Sequence, residues 1–207
     1  MPSLTASIAG YEARLAARFG SALDQQALAL KHDRMRESSF LFLRATCWRW
    51  AEVVPERWPG LMTAPAVGSV GDAHVGNFGL WRDAQFRPVW GVNDYDEAAL
   101  LPFTLDLVRL CASIALADPD GDAADAAEQA LDAYRDALDH PAPIVLEDDY
   151  GWLRDAAEAD DDHRAAFWKR LRDAKPGDPD IPHYREALLA ALPPDVEIGR
   201  ASCRERV

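Results

Sequence analysis

Apolar side chains recur at Ile8, Tyr11, Leu15 and Phe19, three or four positions apart, and the run stops at Gly20. That spacing predicts a helix over 3–19. A second helical stretch runs over 22–35. A third places Phe40, Leu43, Cys47, Trp50 and Val54 on one face, with Ser38 or Ser39 as cap and Pro55 as stop. Residues 55–65 hold three prolines and a glycine and read as a loop. The pattern then changes. Residues 66–70 are short and β-like and run into Gly-Asp-Ala-His-Val-Gly-Asn-Phe-Gly at 71–79, where interleaved glycines and polar groups mark a tight loop. Residues 80–82 and 86–92 read as two strands around an Asp83-Ala84 turn. After Pro102 helices return. Phe103, Leu107, Leu110, Cys111 and Ile114 share a face, 118–122 turns, and 123–139 is an Ala-rich acidic helix. Further helices are expected over about 148–173 and 182–192. The fold class is α+β, mostly α, with one small β region that carries the glycine-rich loop.

Charge narrows the function classes. The chain has 207 residues, with 22 Lys and Arg against 35 Asp and Glu, a net charge of −13. Nucleic acid and anionic membrane surfaces are repelled by most of such a surface, so neither is expected as a partner. No apolar run approaches the ~20 residues of a membrane span, and 1–10 lack the pattern of a signal peptide; a cytoplasmic location is expected. Cys47 and Cys111 sit in apolar stretches and read as core thiols. The end, Ile-Gly-Arg-Ala-Ser-Cys-Arg-Glu-Arg-Val at 198–207, resembles a translated sequencing adapter. The expectation is a fragment of one domain over 1–197 and a non-native, disordered tail over 198–207.

The candidate chemistry lies around the loop. Asp72 and Asn77 are five apart before the hairpin, and Asp94 and Asp96 follow it. A loop Asp accepts a proton from a hydroxyl, while an Asn carbonyl and a second Asp are hard oxygen donors suited to Mg²⁺. Asp-x-x-x-x-Asn, a hairpin, then Asp is the order of a kinase catalytic loop and its metal-binding Asp. The bland alternative is that these side chains cap turns. Lys31, Arg34, Arg36, Arg44 and Arg49 run against the overall charge; they either handle phosphate or pair with the acidic helices around 118–162. His74 supports the loop by hydrogen bonding or binds a metal. Asp106 is either a helix-start charge favoured by the dipole or a brace for the loop.

The loop sequence at 71–79 and Val-Asn-Asp-Tyr-Asp-Glu-Ala at 92–98 resemble the hallmark motifs of the bacterial domain-of-unknown-function 2252 family. Lys-His-Asp-Arg-Met at 31–35, Ser-Phe-Leu-Phe-Leu-Arg-Ala-Thr at 39–46 and Leu-Pro-Phe-Thr-Leu-Asp-Leu-Val-Arg-Leu at 101–110 are similar to its flanking stretches. That family in turn resembles the aminoglycoside-phosphotransferase branch of the kinase-like superfamily. The resemblance implies Asp72 as catalytic base, Asn77 and Asp94 as Mg²⁺ ligands with Asp96 beside them, Asp106 as brace, and Lys31, Arg44 and His74 at the cofactor, ATP. Gly71 stands where many phosphotransferases have His, and Asn93 where they have an apolar residue. A permuted order, with the nucleotide-gripping lobe after this region, is further implied. No G-x-G loop follows in this chain, so residues 1–197 alone are expected to be inactive. Three functions are carried forward: a Mg²⁺-dependent phosphotransferase with an unknown small-molecule acceptor, a metal-dependent phosphohydrolase using Asp72, His74, Asp94 and Asp96, and a binding module without catalysis.

Overall fold

The computed structural model describes residues 2–147, 150–157 and 160–173. The fold is α+β and mostly helical. The chain divides into two compact units, Met1–Ala157 and Glu158–Val207. The first begins with α1 (Leu4–Phe19), capped by the Ser3 hydroxyl, and α2 (Gln25–Glu37), capped by the Asp24 carboxylate. There follow α3 (Ser39–Ala45) and α4 (Cys47–Arg57). Then come β1 (Ala66–Ser69), β2 (Phe78–Arg82), β3 (Pro88–Val92) and β4 (Ala99–Pro102). The unit closes with α5 (Thr104–Ala117), α6 (Ala123–Asp139), β5 (Ile144–Val145) and α7 (Gly151–Ala157). Of the second unit, one helix is described, α8 (Asp161–Asp173). The expected helix over 182–192 and the tail over 198–207 lie outside the described residues.

Three expectations for helices are corrected. The helix expected to run from Phe40 to Pro55 is two helices, because Thr46 leaves the helical region at φ −127° and ψ 39°. Its hydroxyl donates back to the Phe42 carbonyl at 2.7 Å, and its N–H closes a tighter turn on Leu43 O at 3.3 Å. Such back-bonding competes with the regular ladder. Pro55 does not stop α4. It lacks only its own N–H, and the last turn closes past it through Trp58 N–H to Val54 O at 2.9 Å. The single helix expected over 148–173 is also two. Asp160 Oδ1 accepts the His163 N–H at 2.7 Å and so opens α8.

Two small antiparallel sheets hold the loop. β1 pairs with β4 from Ala66 opposite Pro102 to Ser69 opposite Ala99. β2 and β3 form the expected hairpin, with Phe78 opposite Val92, and β5 adds to β3. The hairpin turn is pinned by Asp83 Oδ1, which accepts from the N–H groups of Gln85 and Arg87 at 2.9 Å each. β4 and β5 carry no alternation of their own; pairing partners define them. Among the described residues the buried apolar ones are few: Leu43, Val54, Ala73, Leu105, Val145 and Leu146. Among the largest fully buried side chains is a charged one, Arg109.

Candidate functional site

The loop between β1 and β2 is held by one helix. Asp106, Arg109 and Ser113 sit at helical spacing along α5 and grip the loop at successive points. The Asp106 carboxylate accepts the N–H groups of Val70 at 2.7 Å and Gly71 at 3.0 Å. Arg109 donates through Nε to Asp72 Oδ1 at 2.7 Å and through Nη2 to the same oxygen. Ser113 Oγ accepts the Val75 N–H at 3.0 Å and donates to Leu110 O at 2.7 Å. Asp106 is therefore a brace for the loop as well as a first-turn acid.

Arg109 joins three parts of the molecule. It is 1% exposed, and Nη2 also donates to Leu43 O at 2.9 Å. That carbonyl lies at the end of α3, where the break at Thr46 leaves acceptor capacity and where the helix dipole favours a cation. The guanidinium lies 5.5 Å from the Trp50 ring centroid. With Oδ1 of Asp72 engaged, Oδ2 is left, 3.7 Å from His74 Nε2. His74 is 4% exposed, and its Nδ1 is buried without a partner. Burial pulls the His74 pKa below its ordinary value; Asp72 opposes this, and the cations Arg44 and Arg109 reinforce it.

Asn77 is a clamp. It is 5% exposed, its Oδ1 accepts the Asp94 N–H at 2.9 Å, and its Nδ2 donates to Asp94 O at 3.0 Å and Asp72 O at 3.3 Å. Backbone partners on both sides fix which amide atom is oxygen. This side chain ties the loop that carries Asp72 to the end of the hairpin that carries Asp94. Asp94 Oδ1 in turn accepts the Asp96 N–H at 3.1 Å, an Asx turn, and its Oδ2 has no hydrogen-bond partner among the described residues. Gly71 adopts φ +84°, and a Cβ there would lie 2.1 Å from Glu97 O, so the loop and the segment after β3 meet at bare backbone. Asn93 fills the space that Gly79 leaves, since a Cβ at 79 would come within 2.4 Å of its amide nitrogen.

The seven residues expected at the base, the metal and the cofactor — Lys31, Arg44, Asp72, His74, Asn77, Asp94 and Asp96 — line one cleft of about 640 Å³. Arg34, Tyr11, Trp48 and Glu97 line it too. Tyr11 of α1 stacks on Trp48 of α4 with centroids 4.8 Å apart, and Lys31 Nζ sits 4.8 Å from the Tyr11 centroid. Burial raises the Tyr11 pKa, helped by Glu97, and lowers that of Lys31, which Glu12 and Glu97 oppose. Cys47 is half-buried, and burial pushes its thiol up to about 11, which suits packing rather than reactivity. Among the described residues no group of three or more His, Cys, Asp or Glu is gathered to hold a metal by itself. None of the helices is long and apolar enough to cross a membrane, among the same residues.

Arg109 and Ser113 escaped sequence reasoning as functional residues. The signal was present: Asp106, Arg109 and Ser113 are polar positions on one stripe of an otherwise apolar helix. A charge on such a stripe has to find a partner inside.

Fold and cleft together define a mostly helical α+β protein organised around one polar, glycine-rich loop and the helix that grips it. Comparison with known families reaches the same region. The family described as "Uncharacterized protein conserved in bacteria (DUF2252)" matches residues 23–176, and the chain belongs to it. No curated protein and no solved structure matches it.

Proposed function

We propose that this cleft is the catalytic-loop side of a kinase-like, Mg²⁺-dependent phosphotransferase acting on a small molecule. The observation that carries the reading is the clamp made by Asn77, which holds Asp72 and Asp94 at one cleft while Asp106 and Arg109 immobilise the loop from behind. Phosphoryl transfer depends mainly on positioning and charge neutralisation, so a rigidly braced loop is the expected construction.

In this reading Asp72 is the base. Arg109 fixes its Oδ1, and Oδ2 takes the proton from an acceptor hydroxyl. The oxygen donors beside it suit Mg²⁺: Asp94 Oδ2, the remaining lone pair of Asn77 Oδ1, and Asp96 next to them. Mg²⁺ is usually held by one or two carboxylates together with a ligand's phosphates, and bound there it neutralises phosphate charge. ATP is the proposed donor, with Lys31, Arg44 and His74 on its side of the cleft.

Two measurements test this. Mn²⁺ titration followed by electron paramagnetic resonance reads the metal site directly, and Asp94→Ala is expected to remove the bound signal. In a form of the protein that transfers phosphate, Asp72→Asn lowers turnover by roughly 10²–10⁴, the span for a positioned general base. Turnover indifferent to Asp72→Asn, or Mg²⁺-dependent ester hydrolysis lost on His74→Ala, overturns the assignment.

A further inference from the structure

The structure divides the five basic residues of 31–49. Arg36 pairs with Asp33 at 2.7 Å and Arg49 with Glu52 at 2.9 Å, each within its own stretch of helix. Lys31, Arg34 and Arg44 make no ion pair with a described carboxylate, and all three line the cleft. In a chain with 35 acidic side chains to 22 basic ones, three unpaired cations on two consecutive helices call for an explanation. Lys31 rests on Tyr11, and Arg44 lies 6.0 Å from the Phe40 centroid. A ring face positions a cation but leaves its N–H groups free to donate. Trp48 Nε1, a donor only, is buried without a partner in a residue of the same cleft. The side of the cleft built by α2, α3 and the start of α4 therefore holds more donors than acceptors.

We infer that this side is a phosphate subsite, in which Lys31, Arg34 and Arg44 receive the phosphate of a phosphorylated small molecule. A carboxylate carries one charge; three separate cations suit a dianionic, tetrahedral group with several acceptor oxygens. The phosphate belongs either to a nucleotide tail or to an acceptor that is already phosphorylated. Naming a ligand for the same cleft, the inference rests on the phosphotransfer reading, yet binding at the cations requires neither Asp72 nor turnover. The acids Asp94, Asp96 and Glu97 of that cleft disfavour an anion, so Mg²⁺ strengthens binding.

The test is calorimetric titration of the protein with inorganic pyrophosphate, with and without Mg²⁺. The Arg34→Gln/Arg44→Gln double variant is expected to bind at least 10-fold more weakly, with circular dichroism and melting temperature unchanged. Arg36→Gln, a change outside the cleft, binds as the parent does. Displacement by ADP but not glucose 6-phosphate assigns the subsite to the nucleotide; the reverse assigns it to the acceptor. No binding of pyrophosphate, or equal binding by the double variant, overturns the inference. Binding that depends on Arg34 and Arg44 but gains nothing from Mg²⁺ keeps the subsite and counts against the metal site instead.

Discussion

Arg109 shows how one side chain sets the terms for a site. Its guanidinium is buried against Leu43 O, Asp72 and the Trp50 ring, so it is both a core residue and the anchor of the candidate base. A buried ion pair gains little over apolar packing, but removing one partner strands the other's charge. Asp72 keeps a side-chain exposure of 20%, which places the cost at the low end of that range. Arg109→Leu is expected to lose about 3 kcal/mol in urea denaturation. Combining it with Asp72→Asn is expected to cost less than the sum of the two, since the stranded charge is gone. Additivity in that cycle would mean that the pair is not coupled.

At the scale of elements, α5 does for the loop what a paired strand does for its neighbour. Its polar stripe supplies acceptors to the N–H groups of Val70, Gly71 and Val75, none of which forms part of a strand ladder. Buried or half-buried N–H groups need such partners. Asp106→Ala deletes two charge-assisted bonds and is expected to cost about 2–3 kcal/mol. Hydrogen exchange gives the local signature: the Val70 and Gly71 amides should exchange faster, with those of α6 little changed relative to global stability. Uniform acceleration across the first unit would mean that Asp106 supports the whole fold rather than the loop.

For the whole molecule, acidity and one buried histidine meet in the pH dependence of stability. The folded state holds the His74 pKa below its unfolded value of about 6.5. Below that pH the unfolded chain binds the extra proton first, so this contribution to stability falls on acidification until the folded pKa is passed. Urea midpoints at pH 7.5 and 5.5 should therefore differ by less in His74→Gln than in the parent; an equal difference would remove His74 as a cause. Legibility in the sequence divides along similar lines. The helices α1, α5 and α6, the hairpin of β2 and β3, and the gathering of polar residues near the loop follow from local periodicity, caps and turn chemistry, which act over a few residues. The strands β4 and β5 and the roles of Arg109 and Ser113 do not, because each is defined by a partner 30 or more positions away, and the break at Thr46 rests on a side-chain bond to Phe42 O that apolar periodicity does not register. Of the basic cluster, the sequence by itself determined only the concentration of charge. Which cations pair and which face the cleft was decided by the tertiary structure, since helix packing sets the reach of each side chain and so its nearest carboxylate.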